Sequence, residues 1–79
     1  MPTVLLLNGF RFFFYSRENK EPAHIHVAKG DAEGKIWLEP ILEIAYFIRF
    51  TNSEQKQIIE IVTAHQQQFK NHWNEYFNQ

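Results

Sequence analysis

From Asn52 to Gln79 the chain contains neither glycine nor proline, and its apolar residues return there at helical spacing. At 100° per residue, Ile58, Val62, His65, Phe69, Trp73 and Tyr76 fall within about 80° of one another. Ile61 and His72 flank this stripe. The start is marked by Thr51-Asn52-Ser53-Glu54, a capping box in which a Thr oxygen accepts from the backbone N–H three residues on and Glu reaches back. The pattern predicts one helix over about 52–77, some 26 residues and roughly 39 Å long. A globule of this size has a radius of gyration of only about 12 Å, so a straight rod overhangs a compact sphere. Either the helix bends near Gln66–Gln68 or its aromatic end packs on a second chain. Exposed apolar patches mark interfaces. The second outcome is therefore expected, with Phe69, Trp73, Tyr76 and Phe77 as candidate interface residues.

Everything before that helix reads as strand and turn. Thr3–Leu7 is a short apolar run followed by Asn8-Gly9, the pair that best adopts the positive φ values of a two-residue hairpin. Phe10 to Tyr15 is aromatic on both faces, as suits a strand with neighbours on either side. The polar stretch Ser16 to Pro22 reads as an exposed loop. Alternation resumes over His24–Lys29, with Ile25 and Val27 on one face and His24, His26 and Ala28 on the other. Gly30-Asp31 is a turn, Glu33 to Glu39 a strand, and Pro40 a break, since proline cannot donate to a ladder. Ile41 to Phe50 fits an edge strand by its β-branched and aromatic content. The fold class expected is α+β: a curved antiparallel sheet of 4–5 strands within 3–50, packed against one long C-terminal helix, in a single domain over 1–79.

The chain has no cysteine, so disulfides and thiolate metal sites are excluded. Stability has to come from burial, and eight Phe, two Trp and three Tyr supply large apolar area for a short chain. A dimer would add to it. Eight basic and nine acidic residues leave a formal charge of −1. Nucleic-acid binding rests on phosphate neutralisation, so nucleic acid is a partner that charge does not favour. No apolar run approaches a membrane span. Met1 to Leu7 lacks the basic segment and cleavage site of a signal peptide. The expected compartment is the cytoplasm.

The chemistry-bearing feature is Glu21-Pro22-Ala23-His24-Ile25-His26-Val27. Residues i and i+2 of a strand share a face, so the two imidazoles project side by side. Three roles suit that geometry. The rings can begin a metal site completed by Glu21, Asp31 or a helix histidine, can act as acid and base in phosphodiester cleavage, or can be structural, hydrogen-bonded to a loop carbonyl beside the proline. His24 and His26 are thus the candidate catalytic residues, and no cofactor is implied beyond a possible metal. His65 and His72 lie two turns apart, too far to chelate one ion together. Arg11 and Arg17 are candidate anion-binding residues by their forked donors, or else solvated side chains stacked on Phe or Tyr. Trp37 reads as a core or interface anchor. No Gly-rich phosphate loop, Gly-x-Ser-x-Gly elbow or Cys nucleophile occurs.

The stretches Pro2-Thr3-Val4-Leu5, Asn8-Gly9-Phe10-Arg11-Phe12-Phe13-Phe14-Tyr15-Ser16, Glu21 to Val27, Lys35-Ile36-Trp37-Leu38-Glu39-Pro40 and Trp73-Asn74-Glu75-Tyr76-Phe77 together resemble domain-of-unknown-function family 4160, a group of short bacterial proteins. Ala23 departs from the pattern, where relatives often carry a second proline. The resemblance implies a toxin–antitoxin component encoded beside a second small protein, and it carries no established catalytic residues. The function expected is a protein-interaction module that pairs with itself or with a small cognate protein. The alternatives are an RNA- or phosphate-directed enzyme or binder using His24 and His26, and a metal-binding domain using the same pair.

Overall fold

The computed structural model describes residues 3–15 and 20–77. Five strands, β1 (Thr3–Leu7), β2 (Phe10–Phe13), β3 (His24–Lys29), β4 (Ala32–Trp37) and β5 (Glu43–Ile48), precede a single helix, α1 (Asn52–Phe77). The strands form one antiparallel meander in the order β1-β2-β3-β4-β5, so β1 and β5 are its two edges. This is the α+β architecture expected. Arg17 and most of the predicted Ser16–Pro22 loop lie outside the described residues.

The turns follow from local chemistry. Asn8 and Gly9 take φ of 54° and 82°, the left-handed pair that closes a two-residue hairpin between Leu7 and Phe10. Gly30, at φ 60°, does similar work between β3 and β4. The aromatic run of β2 stops at Phe13, two residues before the predicted end. β5 is shorter than Ile41–Phe50, because Glu39–Pro40 and Ile41 bend out of the ladder and Arg49, at φ 65°, ends it.

Register separates the two sheet faces. Phe12 pairs with Val27, Ile25 with Ile36, and Gly34 with Phe47; these face the helix. Phe13, His26, Lys35 and Tyr46 pair across the other face. The β4–β5 register shifts between Lys35 and Ile36, which pair with Tyr46 and Ile44. This bulge at Ala45 turns Ile44 towards the helix and Tyr46 away from it.

Helix α1 lays Ile58, Ile61, Val62, Phe69 and Trp73 on the sheet. Phe69 sits 5.5 Å from Phe12 and Trp73 5.3 Å from Phe14, centroid to centroid. The expected overhang of the helix does not occur. The helix is continuous, and the molecule is elongated rather than spherical, with extents of 36 × 23 × 19 Å, so the rod lies along the long axis. Phe69 and Trp73 are buried inside the chain itself and are not available as interface residues. Phe77 is half-buried against Phe14 and Trp73, leaving Tyr76 as the exposed member of that group. The stripe also differs from the expected one: the flanking Ile61 is buried, the stripe's own His65 is half-buried and the flanking His72 is exposed.

Candidate functional site

The two histidines emerge together, as the strand period requires, with ring centroids 5.1 Å apart. They do not open onto solvent. His24 is 0% and His26 6% exposed. The Nδ1–H of His24 donates to the Pro22 carbonyl oxygen at 2.9 Å; a carbonyl only accepts, so the proton is fixed on Nδ1. The ring packs against Trp73 of the helix at 4.8 Å and Trp37 at 5.3 Å. His26 stacks on Phe13 at 5.6 Å and meets the edge of Tyr15 at 4.6 Å. The arrangement is an aromatic cluster that ties the start of β3 to the helix end. The segment after β4 is held there too, since Leu38 N–H donates to the Ala23 carbonyl oxygen at 2.8 Å.

Of the groups proposed to complete a site around the pair, Glu21 and His65 have other partners. Glu21 accepts from Lys35 Nζ at 2.6 Å, and its Oε1 stands 3.9 Å from His24 Nδ1. His65 donates from Nδ1 to the Ile61 carbonyl oxygen at 2.8 Å within its own helix. The helix does pass His24, but with Trp73 rather than a histidine. Among the described residues no three His, Asp or Glu side chains are grouped to hold a metal ion.

Arg11 donates from Nε to Thr3 Oγ1 at 3.0 Å, with its guanidinium 4.6 Å from the Phe13 centroid. Lys35 lies over Trp37 at 4.2 Å. These cations are stacked on rings rather than converging on a common point. Arg17 lies outside the described residues.

A different surface is concave. Between β5 and α1 runs an apolar groove of about 200 Å³, lined by Ile36, Leu42, Glu43, Ile44, Ile59 and Val62. Such a space accepts one or two apolar side chains, not an extended cofactor. Beside it Ile41 is 66% and Ile44 44% exposed and Ile59 near two-fifths, while Tyr46 and Ile48, also near two-fifths exposed, lie on the opposite face of β5. Between Glu43 and Arg49 the sequence Ile-Ala-Tyr-Phe-Ile carries no charge. No strand pairs with the outer side of β5 among the described residues. Sequence reasoning placed an edge strand here but missed the groove. The available signal was an uncharged edge strand flanked by one acid and one base.

Among the described residues no helix is long and apolar enough to cross a membrane. A family model, Domain of unknown function (DUF4160), matches residues 9–74. No curated protein and no solved structure matches.

Proposed function

This chain belongs to the family described as Domain of unknown function (DUF4160), and we propose that it is a protein-interaction module that docks partners along the outer edge of β5 and the groove beside it. The observation that carries this reading is the exposure of Ile41, Ile44, Tyr46, Ile48 and Ile59 on and beside one strand edge. Sheet edges in soluble proteins are guarded by charge, proline or cover, because their backbone groups invite another strand. From Ile44 to Ile48 this edge has neither charge nor proline. A partner strand laid there gains backbone hydrogen bonds, while the groove beside it selects an apolar side chain.

The histidines support a structural role instead. A phosphodiester reaching both rings would have to displace Tyr15 or Trp73, and the pair has no grouped third ligand for a metal among the described residues. The toxin–antitoxin pairing implied by resemblance is one form the interaction can take, with the small cognate protein as partner.

Backbone amide shifts would be followed by NMR while the neighbouring small protein is added, and separately while this protein is concentrated alone. Perturbation centred on residues 41–48 and Ile59 in either series is the result expected. If neither series moves those amides, or if the changes centre on the helix end at Tyr76, the reading is wrong.

A further inference from the structure

The two residues that open β5 differ in face and in chemistry. Ile44 pairs with Ile36 on the helix side of the sheet, and Glu43 pairs with Trp37 on the far side. Both border the groove. A strand laid along this edge shares faces with its lateral neighbours. Its residue beside Ile44 therefore points into the groove, and the adjacent residue points to the far face beside Glu43. The groove is lined by aliphatic side chains, so a branched aliphatic residue, common in strands, suits the first position.

Charge selects the second. Glu33, Glu39 and Glu43 are all exposed. Among the described residues no cation stands within ion-pair distance of any of them. Glu33 lies on the far face, in the row that ends at Ile48. The nearby cations are engaged. Lys35 Nζ is 2.6 Å from Glu21 and lies over the Trp37 ring. Arg49, past the strand end at φ 65°, reaches the Asp31 carbonyl oxygen at 3.4 Å. A partner residue beside Glu43 is therefore favoured as a base and disfavoured as an acid. The same carboxylates repel a nucleic-acid backbone. A second copy does not supply the pattern either: β1 carries no charge and β5 only Glu43, so neither edge strand sets a base beside an aliphatic residue.

We propose that the segment docking on β5 belongs to another protein and is basic. A branched aliphatic residue fills the groove, and Lys or Arg next to it in sequence lies beside Glu43. The inference rests on the reading of β5 as a docking edge and adds the chemistry of what docks.

The test follows amide shifts of the full chain by NMR while short synthetic peptides in a Ser/Thr background are added. One carries Ile between two Lys, one Ile between two Glu, and one Ser between two Lys. The Lys-Ile-Lys peptide is expected to bind most tightly and to move the amides of residues 41–44 and Ile59. The Glu-flanked peptide binds about tenfold more weakly, and the peptide lacking Ile is weakened by about as much. Glu43→Lys reverses the order of the Lys- and Glu-flanked peptides. Glu60→Lys, the same charge change at an exposed position of α1, does not. Equal affinity for all three peptides, an order unchanged in Glu43→Lys, or one reversed equally by Glu60→Lys overturns the proposal, as does the absence of any shift at β5. If β5 amides respond to the neighbouring small protein in any of those cases, the docking edge stands and only the basic segment falls.

Discussion

Gly34 is buried on the helix face of β4, and a Cβ there would stand 2.7 Å from the Phe47 ring and 3.1 Å from the Tyr46 carbonyl oxygen. The ring can turn aside, but the backbone oxygen cannot without moving β5. Gly34→Ala is expected to cost about 1–3 kcal/mol, the usual range for overpacking, measured by urea unfolding. His24 tests the structural role of the pair. Its ring fills space between two tryptophans, so His24→Ala should lose about 3 kcal/mol by cavity formation. Zinc or nickel should leave the wild-type Tm unchanged. A metal-induced rise in Tm that is lost in the His24→Ala variant would restore the metal reading. That the two rings share a face was legible from their spacing of two. Their burial was not, because it depends on Trp73, almost fifty positions away, and no local pattern reports a tertiary neighbour.

At the scale of elements, the entry to α1 carries the capping box its sequence announces. Thr51 N–H donates to Glu54 Oε1 at 2.9 Å, and Glu54 N–H donates to Thr51 Oγ1 at 3.1 Å. Thr51→Ala should therefore cost about 1 kcal/mol in thermal or urea unfolding. The backbone N–H of Thr51 and Lys29, whose Nζ lies 3.1 Å from Glu54 Oε2, hold the Glu54 carboxyl below its ordinary pKa. Its pKa is thus lower folded than unfolded. The contribution is complete above the ordinary carboxylate value and disappears as pH falls through the folded one. Wild type should exceed Glu54→Gln in stability near neutrality, and the gap should close in acid, as followed by urea midpoints across that range. The helix and first hairpin were readable because each is fixed by local rules: a 3.6-residue period with a cap, and Asn-Gly between alternating runs. The outline of β5 was readable as well, but its bulge at Ala45 was not. That bulge places Ile44 beside Ile59 and so builds the groove.

For the whole molecule, the error in the sequence argument was one of shape. Comparing a rod with a sphere left the aromatic helix end without cover, whereas an elongated sheet gives Phe69 and Trp73 their partners in Phe12, Phe14 and His24. Unmet apolar surface lies at the β5 edge, flanked by Glu43 and Arg49, and also at Leu6 and Leu7 of the β1 edge. Because the native chain has no cysteine, single cysteines report accessibility without background. Maleimide labelling of Ile44→Cys and Tyr76→Cys, in dilute protein and under conditions of association, compares the two surfaces directly. Slower labelling at position 44 on association, with position 76 unchanged, is the predicted result; protection at 76 with none at 44 would return the interface to the helix end and contradict the account.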